Sequence, residues 1–200
     1  MDREHIRGFL LNNAVIQIEL DRLNEARGFN REVAAKRLEA DPYLSGYMPQ
    51  FAPDLRTKAA AMSAYYEIFY LLENHIRMMI VDVLRDAAGP DWWDASAPQS
   101  VKDSAKHNRQ RELDHGISQR SIDEIDYITF GELGEIIRFN WDNFGGIFQS
   151  RKGVEKVMSS LNLLRGTIAH CGMLSDDEVL RLKLTVRDWF RLMSWSLERD

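Results

Sequence analysis

One apolar stripe constrains this chain more than any other feature. Between residues 54 and 88, Met62, Tyr65, Tyr66, Phe69, Leu72, Ile76, Met79, Ile80, Val83 and Leu84 recur at steps of mostly three and four. Such spacing, sustained over several turns, places the residues on one face of an α-helix. Five prolines and twelve glycines in 200 residues leave room for long uninterrupted helices. No run of alternating β-branched residues and no Asn-Gly hairpin signal occurs. The pattern therefore predicts an all-α fold built as an up-and-down helical bundle.

The remaining segments read the same way. Helices are predicted over 3–27 and 30–40, followed by a stretch, DPYLSGYMPQFAPD, with three prolines and one glycine. That stretch is the natural boundary between an N-terminal helical extension, 1–52, and a bundle, 53–200. Gly89-Pro90 closes the long helix over 54–88. A polar helix over 100–120 has Gly116 marking an end. Ser121 with Glu124, Thr129 with Glu132, and Ser175 with Glu178 each have the spacing of a capping box. The second box opens a helix running toward Trp141 and Phe144, interrupted by Gly145-Gly146. A helix over 152–171 carries Val154, Val157, Met158, Leu161, Leu164 and Ile168, and Gly172 suits its C′ position. The third box opens the last helix, through Val179, Leu182, Val186, Trp189, Phe190 and Met193.

Composition narrows the function classes. A net charge of −5 argues against a protein that coats nucleic acid unselectively. If RNA is handled, it is handled by a local positive site on an acidic body. The single cysteine, Cys171, excludes an intrachain disulfide. No apolar run approaches the roughly 20 residues that span a bilayer, and no secretory signal is visible, so a cytoplasmic protein with no membrane partner is expected. His75, His107 and His115 show no metal-site spacing with carboxylates or with Cys171. No Gly-rich phosphate loop is present. Neither a metal nor a cofactor is expected.

The chemistry-bearing motif is RGTIAH, residues 165–170. A guanidinium is always ionised and grips phosphate oxygens bidentately. An imidazole can give or take a proton near neutral pH. On an ideal helix Arg165 and His170 lie roughly 140° apart. One regular helix does not aim both at the same phosphate. Either the helix loosens at or after Gly166, or each group meets partners across a dimer interface. The alternative is structural: Arg165 edges the core and His170 caps carbonyls at a helix end.

In its arrangement the chain resembles the HEPN family, the higher-eukaryote-and-prokaryote nucleotide-binding domains. The resemblance rests on the RxxxxH ending, on YYEIFYLLENHIRMMIVDVL with Glu73 and Arg77 one turn apart, on GPDWW after it, and on IDYITFGELGEIIRFNW. Together these span about residues 58–197. The resemblance implies a bundle of four or five helices, a homodimer, and in many members a metal-independent endoribonuclease. Arg165 and His170 would be its catalytic residues, with the pairs of both subunits lining one cleft. The branch resembled occurs in bacterial toxin and anti-phage proteins, which implies an antitoxin or regulatory partner. Other members serve as non-catalytic modules for dimerisation, nucleotide binding or assembly. The family often carries a polar residue after the arginine, where this chain has Gly166.

The remaining candidates are weaker. Glu73 lies beside the apolar stripe and needs a partner, because a lone buried carboxylate is costly. Arg165 would serve, making Glu73 a positioning group with Arg77; a solvated Glu73–Arg77 pair serves as well. Lys102, Lys106, Arg109 and Arg111 form a basic cluster diluted by Asp103, Glu112 and Asp114. It reads as a solvated helix face or as an RNA-guiding patch. Trp92 and Trp93 read as core plugs or as base-stacking rings.

Overall fold

The computed structural model describes residues 44–193. The helices expected over 3–27 and 30–40, with most of the expected extension, lie outside them. Regular structure in the described residues comprises seven α-helices and two 3-10 turns, with no strand. The helices are α1 Pro53–Ala88, α2 Trp92–Ser96, α3 Gln99–Asp114, α4 Phe130–Phe139, α5 Trp141–Phe144, α6 Arg151–Ala169 and α7 Asp176–Met193. The 3-10 turns are Met48–Gln50 and Glu124–Tyr127. None of the helices is long and apolar enough to cross a membrane.

Local chemistry accounts for most boundaries. Pro53 opens α1, where its missing N–H costs nothing. Gly89 closes it at φ +82°, a conformation that disfavours any residue with a Cβ. At α4 the capping box forms as expected: the Thr129 N–H donates to Glu132 Oε2 at 2.6 Å, and the Glu132 N–H donates to Thr129 Oγ1 at 3.4 Å. Ser175 and Glu178 do the same for α7, at 2.9 and 3.3 Å.

Three boundaries depart from the sequence reading. Ser121 and Glu124 form no capping box; Ser121 Oγ accepts from the Asp123 N–H at 3.0 Å, a local turn that leaves Glu124 to open a 3-10 segment. The helix expected to run toward Phe144 breaks at Asn140. There the side-chain amide donates to the Ile136 and Ser96 carbonyls, both at 2.9 Å, and supplants continuation of the helix. Finally, α3 stops at Asp114, so the run after Gly116, which marks the end as expected, is not part of the helix predicted over 100–120.

The chain divides into two compact units, whose described parts are residues 44–71 with 164–183, and 72–163 with 184–193. In the first unit Ala64, Phe69, Leu164, Leu174 and Leu182 are buried. Tyr66, counted in the predicted stripe, is exposed there and meets Tyr70 with ring centroids 6.4 Å apart. In the second unit α1 buries Leu72, Ile76, Met79, Ile80, Val83 and Leu84, and α4 buries Phe130, Leu133, Ile136 and Ile137. Phe148 is the aromatic hub, 5.1 Å from Trp189 and 6.5 Å from Phe144 between ring centroids. Trp92 is buried and meets the half-buried Trp93 edge-to-face, as core plugs do.

His75 is the one histidine among the described residues buried in this core. Its ring lies 6.0 Å from Phe190, and burial lowers its pKa from 6.5 to about 4. The native state therefore holds His75 neutral while the unfolded chain protonates it below pH 6.5. This stabilisation is complete above pH 6.5 and is lost as the pH falls toward 4, amounting to about 3 kcal/mol. Urea unfolding of wild type and His75→Gln at pH 7, 5.5 and 4.5 should show a gap between the two proteins that narrows toward acid. A constant gap would mean that His75 does not titrate on unfolding.

Candidate functional site

The RxxxxH motif sits at the end of α6, in the first unit. Arg165 is half-buried and His170 is exposed. The helix does not loosen at Gly166. It runs regularly to Ala169, and the His170 N–H still donates to the Gly166 carbonyl at 3.1 Å. His170 is thus the C-cap residue, the last to share the helical backbone. A Cβ built on Gly166 meets nothing within 4 Å, so neither conformation nor crowding demands glycine there.

The reversal after His170 is a Schellman turn. The Cys171 N–H donates to the Ile168 carbonyl at 3.1 Å, and the Gly172 N–H donates to the Thr167 carbonyl at 2.8 Å. The C′ residue, expected to be Gly172, is Cys171. It adopts φ +59°, the left-handed region, and no other non-glycine residue among those described does so. Gly172 is needed for space instead: an added Cβ would stand 2.9 Å from Thr167 Cγ2 and 3.0 Å from the Thr167 carbonyl oxygen.

The end of α3 shows what this motif looks like without the misfit. There too a histidine, His115, is the C-cap. Gly116 occupies C′ at φ +64°, with Gly116 N–H to Leu113 O at 3.0 Å and Ile117 N–H to Glu112 O at 3.1 Å. The two turns match bond for bond. Only the one beside the RxxxxH pair places a side chain where glycine is the favoured residue.

Two groups in the first unit went unnoticed in the sequence. Burial raises the pKa of the half-buried Tyr65, and the negative charge of Asp176 adds to the effect. The phenol therefore stays a neutral hydrogen-bond donor. Asp176, Asp177 and Glu178 fill the first turn of α7, where they complement the helix dipole. Nothing in the residue types distinguishes Tyr65 from other tyrosines of the α1 stripe; its burial was needed to see it.

Glu73 and Arg77 lie in the second unit. They form a short ion pair, Arg77 Nη2 to Glu73 Oε1 at 2.5 Å, with both side chains almost buried. This differs from a solvated helix pair. Arg77 also donates to the Ile125 carbonyl and, at 2.9 Å, to the Ile128 carbonyl. It ties α1 to the 3-10 turn ahead of α4.

The basic cluster on α3 is only partly available. Lys102 Nζ donates to the Asp94 carbonyl at 2.6 Å. Arg109 stands 3.8 Å from Glu124 and lies over the Tyr127 ring at 5.8 Å; Arg120 lies over the same ring at 5.3 Å. Tyr127 is buried and its hydroxyl donates to the Ser121 carbonyl at 2.8 Å. Arg109 thus holds the 3-10 turn, while Lys106 and Arg111 stay exposed.

The sequence model of the family described as Swt1-like HEPN matches residues 67–194. The chain belongs to the HEPN family. The all-α architecture agrees with that fold, and Glu73, Arg77, Arg165 and His170 all fall inside the matched span of this HEPN domain. No curated protein and no solved structure gives a significant match.

The Schellman turn yields a paired prediction. Cys171→Gly relieves a left-handed side chain at about 1–2 kcal/mol, offset by the extra freedom of glycine in the unfolded chain, for a net gain of roughly 0.5–1 kcal/mol. Gly172→Ala forces the Thr167 contacts apart and destabilises by about 1–3 kcal/mol. Thermal melts of both variants check the opposite signs.

Proposed function

We propose that this HEPN domain is a metal-independent endoribonuclease acting as a homodimer. One observation carries the reading. Arg165 and His170 occupy one unit, neither is buried, and the backbone of His170 is pinned by the helix before it and the Schellman turn after it. A pinned histidine loses little freedom on meeting substrate.

In this reaction the RNA 2′-hydroxyl attacks the adjacent phosphorus in line. One His170 imidazole takes the hydroxyl proton. As the P–O5′ bond breaks, the partner protomer's imidazole protonates the leaving oxygen. The products are a 2′,3′-cyclic phosphate and a 5′-hydroxyl. Arg165 gathers the charge that builds on the non-bridging oxygens. Because the two groups diverge on a regular helix, a second copy supplies what one helix cannot. The setting is cytoplasmic, in a toxin or anti-phage system with an antitoxin or regulatory protein as partner.

A second reading is a non-catalytic HEPN module for dimerisation, nucleotide binding or assembly. It is favoured by Gly166, which offers no polar group beside Arg165, and by the acidic first turn of α7 in the same unit.

The test uses single-stranded and structured RNA in EDTA with wild type, Arg165→Ala and His170→Ala. Cleavage should fall by about 10²–10⁴-fold in the histidine variant and comparably in the arginine variant. Mixing the two inactive variants should restore no activity, because a mixed dimer holds one imidazole where the reaction uses one as base and one as acid. Equal behaviour of all three proteins would favour the non-catalytic module.

A further inference from the structure

The second unit holds a cleft of about 430 Å³ that the motif chemistry does not use. It lies where the starts of α3 and α6 meet the α4–α5 break. That volume sits toward the lower end of the range for small-molecule sites.

Its walls carry charges of both signs that do not neutralise one another. Arg138 on α4 has Glu135 three positions before it and Asp142 four positions after it. On a regular helix such spacings bring opposite charges together. Here, among the described residues, the side chains of Arg138, Glu135 and Asp142 form no ion pair and no hydrogen bond. The break at Asn140 ends α4 between Arg138 and Asp142, so the contact of an unbroken helix is not made. The Asn140 amide fastens that break to the Ser96 carbonyl at 2.9 Å, just before the turn into α3. Arg151 adds a second guanidinium at the start of α6, held 3.2 Å from Glu155 on its own helix.

The remaining wall is apolar. Phe139 is 67% exposed, a ring left in water next to Arg138. Trp141 beyond it is stacked on Phe148, 6.4 Å between centroids and 18° between planes, so that wall is fixed. No side chain caps the start of α3, whose N-cap Pro98 lies on the cleft, so that end adds positive dipole to the same space.

Charge balance decides what fits. Two guanidinium groups face two carboxylates, so the lining is neutral as a whole. A phosphate would answer Arg138 but would bring its negative charge toward Glu135 and Asp142 with no cation to match them. A ligand carrying one anion, one cation and an apolar part answers every wall.

We propose that this cleft binds a free α-amino acid with an apolar side chain. Arg138 grips the carboxylate, with Arg151 and the open end of α3 beside it. Glu135 and Asp142 accept from the ammonium, which has three donors to place. The ligand's side chain covers the Phe139 ring and takes it out of water. The site stands apart from the ribonuclease reading, since it needs neither RNA nor the RxxxxH pair.

The test is calorimetric titration of the full chain at pH 7. L-phenylalanine is the probe, beside hydrocinnamate, which lacks the ammonium, and phenethylamine, which lacks the carboxylate. L-phenylalanine should bind, and loss of either end should weaken binding by about tenfold or more. Arg138→Ala should weaken L-phenylalanine and hydrocinnamate but not phenethylamine. Asp142→Asn should weaken L-phenylalanine and phenethylamine but not hydrocinnamate. Phe139→Ala should weaken all three. These positions are exposed, and thermal melts check that each variant folds. Absence of binding by L-phenylalanine overturns the proposal, as does equal binding of either truncated probe or binding that no substitution weakens. Adenosine 5′-monophosphate binding more tightly than L-phenylalanine also overturns it. The cleavage assay in EDTA reads the other site, so either proposal can fail alone.

Discussion

The Arg77 guanidinium is the interaction on which the second unit depends. A buried arginine is tolerable only when its donors are matched. Here they meet the Glu73 carboxylate and the carbonyls of Ile125 and Ile128. Those carbonyls belong to a segment with little regular structure, the 3-10 turn that leads into α4. Arg77 converts that segment into a defined approach to the Thr129 cap. The same carboxylate that would be costly alone becomes the counter-charge that keeps Arg77 in place. Truncating either partner leaves the other charge buried, at a cost of about 3–5 kcal/mol.

The motif end of α6 obeys a different logic. Two helices of this HEPN domain finish with a histidine C-cap and a Schellman turn. At α3 the turn takes Gly116 and is unstrained; at α6 it takes Cys171 in the left-handed region. Strain kept beside a chemistry-bearing pair is a recurring companion of functional sites. The crowding at Gly172 leaves no room for a side chain where the chain turns back past Thr167.

Legibility varied with the kind of signal. The extent of α1 was readable because Pro53 and Gly89 punctuate a long periodic run. Two capping boxes were readable because Thr129 and Ser175 each precede an apolar helix face. The third failed at Ser121, because the same spacing also fits a local turn. The break at Asn140 was hidden, since its cause is an amide reaching the distant Ser96 carbonyl. In the site, the identities of Arg165 and His170 were legible, but their exposure was not. Arg109 looked like a free cation in the sequence and turned out to lie over Tyr127. Arg138 drew no attention there, and the structure sets it on a cleft wall.

By itself the sequence determined the helical class, the long first helix, the family resemblance and the two groups that carry the motif. These arise from periodicity, punctuation and residue type, which are local properties of a chain. Tertiary structure alone decided that Cys171 rather than Gly172 takes the left-handed position, that the Glu73–Arg77 pair is nearly buried against the Ile125 and Ile128 carbonyls, and that Phe139 is left in water. Burial and pairing depend on which distant segments meet, and no spacing along the chain encodes the environment that a folded neighbour creates.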